Sequence, residues 1–288
     1  AKVRHVPLLL RLGGDYAWEQ GCNRFGIDQN LDEYHEDKTK RPLQVRVLAF
    51  VQSFVAKRSD KVIVPSQYLK SIIEKWGVNA KKIHVIYSAL YPIDVASTKE
   101  SLRAQLDYQQ PTIVTAGRLV PWKGFKAVID VARELQKEYP QLRLIIAGDG
   151  PQKEVLEKYV AEHKFMKHVQ FTGNTSKEAL GALIKIADVF VLNTAYEGLS
   201  HQLIEVMDIG VPIVTTNVGG NPELITDGVS GLLVEFDNRE DLRLAIKRIL
   251  DHPESVQRMT QSARAKTKEF SRERAVEAIS NLLMQYDK

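Results

Sequence analysis

The stretch PTIVTAGRLVPWKGFKAVIDVAREL, residues 111–135, decides the fold. It opens with a short β-branched run, Thr112–Ala116, passes through a loop of glycines and cations, and continues as an amphipathic segment over 123–139. A continuous apolar run of this length, flanked by Pro and Gly, reads as a strand buried on both faces. In the segment that follows, Phe125, Val128, Ile129, Ala132 and Leu135 fall on one helical stripe, which a helix needs if it is to cover that strand.

The same alternation continues downstream. Runs at Leu142–Ala147, Val169–Phe171, Val189–Leu192, Pro212–Thr215 and Gly231–Val234 are separated by helical stretches, among them Gln152–Lys164, Lys177–Ile186 and Leu199–Ile209. Six strands alternating with helices predict a doubly wound, Rossmann-like α/β domain whose ligands sit at the carboxyl ends of the strands. Upstream the pattern is sparser. Pro7–Leu12, Val62–Pro65 and Ile83–Tyr87 read as strands, and Leu43, Val47, Val51, Phe54 and Val55 mark one face of a helix, with Arg41, Arg46, Lys57 and Arg58 around it. Ser66 is placed to cap a helix that runs to Trp76 and stops at Gly77. Three strands do not fill a doubly wound domain, so residues 1–107 are either a small cap or part of a larger domain. The polar segment 97–110 joins the two parts.

Composition narrows the class. The chain has 288 residues, 44% hydrophobic and 26% charged, which excludes collagen-like, low-complexity and broadly disordered chains. The single cysteine, Cys22, has no internal disulfide partner, which favours a reducing compartment. No apolar run approaches the ~20 residues that span a bilayer, and the opening AKVRHVPLLLRL does not fit a signal peptide. The net charge of +4 is uneven: residues 1–107 hold 17 Lys/Arg against 12 Asp/Glu, and the remainder 23 against 24. The first part is therefore the one suited to a phosphate, an anionic acceptor or a membrane surface, with a mildly basic surface of no consequence as the alternative.

Three motifs fall where a nucleotide site belongs in such a domain. TAGRLVPWKG, 115–124, follows the first strand; Gly117 allows a sharp turn, and Arg118 and Lys123 bring two cations to the strand end. AGDGP, 147–151, places Gly148 at the next strand-to-helix turn, either for close ligand approach or as a plain tight turn. NTAYEGLSHQLIEVMDIGVP, 193–212, carries Glu197 in a loop and Glu205 eight residues on. Counted as helix rise, that spacing is about 12 Å, enough to bracket a sugar and a ribose. Between them the amides of Gly198, Leu199 and Ser200 open a helix whose positive end favours a diphosphate. Glu205 has an alternative as the partner of a buried cation, because its apolar neighbours make an unpaired charge costly. Gly173, after Phe171, offers an amide to a base, and Gly219-Gly220 with Glu223 adds a further turn on the same edge.

AGRLxxxKG, GDGP, Val-x-Phe-x-Gly, Glu-x7-Glu and GGxPE, in this order, resemble the second domain of family 4 glycosyltransferases. The resemblance covers most of 58–285. It implies a GT-B-like α/β fold, with one complete doubly wound Rossmann-like domain, 108–271, and a partial N-terminal Rossmann-like domain, 1–107. It also implies a final helix within 272–288 that crosses back to the first domain. The implied activity is retaining transfer of a hexose from a nucleotide-diphosphate sugar to an acceptor hydroxyl. Arg118 and Lys123 would hold the donor diphosphate, Glu197 the transferred sugar and Glu205 the ribose, with Gly117, Gly148, Gly173, Gly198, Leu199 and Ser200 lining the nucleotide. No cofactor and no metal are expected: there is no Asp-x-Asp, and the histidines show no ligand spacing.

The first domain departs from the family pattern. Relatives often end a strand in His-Asp, whereas here Pro7–Leu12 is followed by Gly13-Gly14-Asp15. Asp15 is the candidate to bond the donor sugar, His5 and His201 are the substitute histidines, and Trp18 either stacks on an acceptor ring or packs in the core. Ser88 stands where an asparagine is common, and Ser66 is a site candidate that helix capping alone also explains. The family's earlier βα units are not found ahead of Pro7. The expectation is therefore an N-terminally incomplete enzyme, or a nucleotide-sugar-binding module or subunit inactive without a partner chain that completes it. A sugar-nucleotide epimerase is disfavoured by Glu-x7-Glu. The acceptor is a glycan, lipid or small molecule; nucleic acid is not expected as a partner, because basic residues are not interleaved with stacking aromatics. The expected location is cytoplasmic, with peripheral contact at the inner membrane face.

Overall fold

A computed structural model describes residues 6–286. The chain divides into two compact units. The first comprises the residues through Ala89, the short stretch Tyr196–Leu199 and the segment from Phe270 onward; the second comprises Leu90–Ala195 and Ser200–Glu269.

In the first unit, β1 (Leu9–Arg11) leads to the helices α1 (Tyr16–Arg24), α2 (Leu31–Glu36) and α3 (Leu43–Arg58). These are followed by β2 (Lys61–Val64), α4 (Gln67–Lys75) and β3 (Ile83–Val85). The three strands form one parallel sheet with β2 central, Leu10 facing Val62 and Val62 facing Ile83. Ser66 caps α4 by accepting from the Leu69 amide at 3.0 Å. The stripe of apolar residues on α3 does not turn inward: Val45 and Ala56 are its buried residues, while Leu43 and Phe50 are 71% and 68% exposed. The reason is that α3 packs on α1, with Val45 turned toward Gly21, which leaves its larger apolar residues on the outer side.

The second unit begins with α5 (Lys99–Leu106) and then runs β4 (Thr112–Ala116), α6 (Phe125–Leu135), β5 (Arg143–Ala147), α7 (Lys153–Glu162) and β6 (Val169–Gly173). It continues through α8 (Lys177–Ile186), β7 (Val189–Leu192), α9 (His201–Ile209), β8 (Ile213–Thr216), α10 (Asn221–Leu224) and β9 (Leu232–Val234). The helices α11 (Arg239–Asp251) and α12 (Pro253–Lys266) complete it. The six strands are parallel in the order β6-β5-β4-β7-β8-β9. Within the unit that is third-second-first-fourth-fifth-sixth, the doubly wound order, which reverses between β4 and β7. The expected stripe of α6 is buried as one face, with Phe125, Val128, Ile129, Ala132 and Leu135 packed with Ile113, Leu144 and Ile146 of the sheet.

The sequence reading sets a boundary at 107/108, whereas packing divides the chain at Ala89/Leu90. Contacts made by the residues after Ala89 account for the difference: the Tyr91 carbonyl accepts from Lys177, and Ile93 and Val95 lie against Gly181. Lys99 Nζ bonds Asp188 Oδ1 at 2.9 Å and Arg103 bonds Asp188 Oδ2 at 2.5 Å, tying α5 to the edge of β7. At the other end, α13 (Arg272–Leu283) belongs to the first unit, where Leu282 and Ile279 pack with Ile63, Ile86 and Leu9.

Candidate functional site

In the second unit the carboxyl ends of β4, β5 and β6 are joined backbone to backbone. Gly117 donates to the Ala147 carbonyl at 2.9 Å, and Gly148 donates to the Gly173 carbonyl at 3.0 Å. A Cβ on Gly148, whose φ is +134°, would lie 2.0 Å from the Gly117 carbonyl oxygen. The lack of a side chain there serves the neighbouring loop, whereas the motif alone left close ligand approach and a plain tight turn both open. Gly117, Gly148 and Gly173 thus share one edge, with Arg118 exposed on it and Lys123 half-buried.

Hydrogen bonds tie this edge to the next strands across the reversal. Ala195 N donates to Trp122 O at 2.7 Å, and Asn193 Nδ2 donates to Gly124 O at 3.2 Å. Thr216 Oγ1 donates to Thr194 O at 2.6 Å, and Asn221 Nδ2 donates to Thr215 Oγ1 at 3.1 Å. The loop that carries Arg118 and Lys123 is therefore fixed to the ends of β7 and β8, the position where an open α/β sheet binds its ligand. Lys153, at the start of α7, adds a cation that motif reading did not single out. Its Nζ is 3.7 Å from where a Gly173 Cβ would lie and 3.5 Å from Asp149 Oδ2. Its place two residues after GDGP was the available signal.

Ser200, extended at φ −79° and ψ 105°, caps α9 by accepting from Leu203 N at 3.3 Å. Because α9 starts at His201, Glu197 is outside it, and the 12 Å estimate along a helix axis does not apply. Glu205 is inside α9 and mostly shielded, with Lys177 Nζ 3.6 Å from Oε1 and Gln202 Nε2 at 3.3 Å from Oε2. Burial pushes its carboxyl above the usual range, and Lys177 opposes that shift. A cation does pair with Glu205, although Lys177 is itself half-exposed and is held by the Tyr91 carbonyl at 2.7 Å.

The first unit holds Asp15, Glu197, Gly198 and Leu199. Asp15 requires a correction. It is fully buried, and both carboxylate oxygens are occupied: Oδ1 accepts from Trp18 N at 3.0 Å and Gln52 Nε2 at 2.8 Å, Oδ2 from His35 Nε2 at 2.8 Å and Trp76 Nε1 at 3.2 Å. A sugar hydroxyl has no surface of this carboxylate to reach. Burial alone would raise its pKa, but the bonds from His35, Gln52 and the Trp18 amide outweigh it and hold Asp15 below the usual range. His35 is the histidine of this network. His5 lies outside the described residues, and His201 is exposed at the start of α9. Trp18 is core: it is 1% exposed, donates to Gln29 O at 2.9 Å and meets Tyr196 edge-on at 4.9 Å.

Glu197 is held between two anchored neighbours. Tyr196 is buried against Trp18, and the Gly198 carbonyl accepts from Ser66 Oγ. A Cβ on Gly198 would lie 2.5 Å from the Gly13 carbonyl oxygen, so this backbone position is closed to other residues. Ser66 accordingly both caps α4 and positions the Glu197 loop. Leu199 is buried, and Glu197 is half-buried. Among the described residues there is no group of three His, Cys, Asp or Glu side chains able to hold a metal ion, and no helix long and apolar enough to cross a membrane.

Comparison with known proteins gives these sites a context. The family profile "Glycosyl transferases group 1" matches residues 98–266, and "Glycosyltransferase Family 4" matches residues 16–90. The alpha-D-kanosaminyltransferase of Streptomyces kanamyceticus is 32% identical over 190 residues, 64% of this chain and 49% of that protein. The glycogen synthase of Mycobacterium tuberculosis is 30% identical over 216 residues, 74% of this chain and 51% of that protein. The chain thus spans about half the length of these relatives. Anabaena HepE, solved in complex with UDP-glucose, superposes with a TM-score of 0.82 over 99% of this chain and 74% of its own, at 22% identity. At that identity the likeness establishes the GT-B-like fold.

Proposed function

We propose, from the premise that this chain belongs to the glycosyl transferases group 1, that it moves a hexose from a nucleoside-diphosphate sugar to an acceptor hydroxyl with retention of configuration. One observation carries the reading. Arg118, Lys123 and Lys153 all belong to the loop edge at the carboxyl ends of β4, β5 and β6, locked by the Gly117–Ala147 and Gly148–Gly173 bonds. Cations carried on a backbone locked in this way suit a diphosphate leaving group, whose developing charge they would stabilise. The N-terminus of α9, capped by Ser200, adds positive potential.

In this reading Arg118 and Lys123 grip the diphosphate, Glu197 bonds the hydroxyls of the transferred sugar and Glu205 those of the ribose. The bond from C1 to the diphosphate oxygen breaks, the acceptor oxygen bonds C1 on the same face, and its proton passes to a donor phosphate oxygen. Gly117, Gly148 and Gly173 shape the nucleotide-facing turns. The side-chain cations supply the charge, so no metal ion is called for. Asp15 acts indirectly, as a positioning residue that fixes α1, α2 and α3.

The HepE complex makes a UDP-sugar the first donor to try. Thermal-shift titration with UDP-, GDP- and ADP-glucose should show one base raising stability by mass action. Incubation of that donor with a panel of glycan, lipid and small-molecule acceptors, followed by NMR of the product, should show the anomeric configuration of the donor preserved. Stabilisation without donor hydrolysis or transfer would instead make the chain a binding module. An inverted product would overturn retention.

A further inference from the structure

Of Glu197 and the residue before it, the more firmly held is Tyr196. It is 5% exposed, whereas Glu197 is half-buried. The Tyr196 ring meets Trp18 of α1 edge-on at 4.9 Å and lies tilted against the Tyr68 ring of α4 at 6.4 Å. Trp18 is itself fixed, its amide donating to Asp15 and its indole nitrogen to the Gln29 carbonyl. A ring packed in this way between two helices of the first unit keeps one orientation.

The hydroxyl end of that ring lies where two glycines leave room for it. A Cβ on Gly14 would stand 2.9 Å from the Tyr196 hydroxyl oxygen, and a Cβ on Gly198 would stand 3.4 Å from it. The first of these approaches is too close for any side chain. The Gly14 Cβ would also stand 2.6 Å from Glu19 Oε1, but that oxygen ends a flexible chain and can turn aside. The tyrosine hydroxyl, carried on a packed ring, cannot. Gly14 does not have the left-handed φ that favours glycine, so space rather than backbone conformation requires glycine there. This gives a physical reason for the departure from His-Asp before α1: the volume that a side chain at position 14 would enter is already filled by Tyr196 and Glu19.

These contacts bear on the residues either side of Glu197. Tyr196 precedes it. Gly198 follows it, lies against the Gly13 carbonyl and has its own carbonyl held by Ser66 Oγ. We infer that Tyr196 is a positioning residue for the donor sugar: its hydroxyl, seated against Gly14, sets where the Glu197 carboxylate stands. The inference rests on the proposed contact between Glu197 and the sugar hydroxyls, and it assigns Tyr196 and Gly14 as the matched pair behind that contact.

The test is calorimetric titration with UDP and with UDP-glucose. The readout is the extra affinity that the glucose brings, which requires neither acceptor nor turnover. In E197A that increment should be lost. G14A should lower it about tenfold, because its Cβ displaces the hydroxyl and Glu197 moves with it, and a shift of about 1 Å is costly at such a contact. Affinity for UDP alone should not change in G14A. Y196F should keep most of the increment, and G14A/Y196F should regain it, since removing the oxygen removes the clash. Circular dichroism should show all the variants folded. An unchanged increment in G14A, or a loss in G14A/Y196F as large as in G14A, would overturn the pairing and leave the Glu197 contact standing. A wild type that binds UDP-glucose no more tightly than UDP, or an E197A that keeps the increment, would overturn the sugar contact itself, and Tyr196 would then hold the loop without serving the donor.

Discussion

His35 Nε2 lies 2.8 Å from Asp15 Oδ2, both side chains shielded from solvent inside the first unit. An ionised carboxylate only accepts, so this nitrogen carries the proton and donates. With Gln52, Trp76 and the Trp18 amide also donating, one carboxylate binds α1, α2, α3 and the end of α4 to a common point.

Removing that carboxylate should therefore be costly. Asp15→Ala leaves buried donors unpaired and is expected to lose about 3–5 kcal/mol of stability, within the range for breaking a buried pair. Asp15→Asn, which keeps one acceptor, should lose less. Urea unfolding of the two variants beside the wild type measures both. A loss under about 1 kcal/mol for Asp15→Ala, the size of a typical net hydrogen bond, would show that the network contributes little.

Acid should expose the same group. The folded-state pKa of Asp15 is depressed, so between that value and the ordinary carboxylate value of about 3.9 the unfolded chain binds more protons. The contribution to stability is fully present above the ordinary value and is lost as pH falls through the depressed one. Asp15→Asn should flatten that part of a stability-against-pH curve. An unchanged slope would contradict the depressed pKa.

Most of the second unit was legible because its elements are local. Short β-branched runs and 3.6-residue stripes are read from neighbouring residues, and all six strands lie within or beside the expected runs. The Asp15–His35 bond was not legible, since nothing in the nineteen intervening residues signals that α2 folds back over α1. Two assignments depended on contacts that the sequence hides. Gly148 is needed by the Gly117 carbonyl, and the residues after Ala89 are held in the second unit by distant partners, Tyr91 by Lys177 of α8 and Lys99 by Asp188. Glu205 reads either as a ribose ligand or as the partner of a buried cation, and the cation it meets, Lys177, lies on α8, out of reach of any spacing argument on α9.

Gly148→Ala tests the locked edge. Its Cβ would lie 2.0 Å from a backbone oxygen at a φ that L residues rarely adopt, so the β4 and β5 loops must separate. A loss of about 1–3 kcal/mol from strain alone is expected, accompanied by weaker nucleotide binding. A variant with wild-type melting temperature and affinity would show that the edge is not held by this contact.

Lys123→Ala and Glu197→Ala test the chemistry. Neither residue is in a hydrophobic core, so both variants should fold as the wild type does by circular dichroism. Removing one group that stabilises developing charge is expected to lower kcat about 10²–10³-fold. Full transfer by either variant would remove that residue from the proposed site.

Glu205 provides a test with a sign. Burial raises its folded-state pKa above the ordinary glutamate value of about 4.3, and Lys177 partly offsets this. In the window between the two values the folded chain binds more protons, so stability falls as pH rises through it. Ligand binding should move the opposite way. Ribose hydroxyls donate best to the ionised form, so UDP affinity should drop as pH falls through the raised value. Lys177→Met removes the opposing charge and should shift that drop to higher pH, while Glu205→Gln should bind more weakly and without the pH dependence. Calorimetric titration of UDP from about pH 4 to neutrality separates these cases. If the wild type and Glu205→Gln show parallel pH profiles, Glu205 does not touch the ribose, and its pairing with Lys177 only anchors α9 to α8.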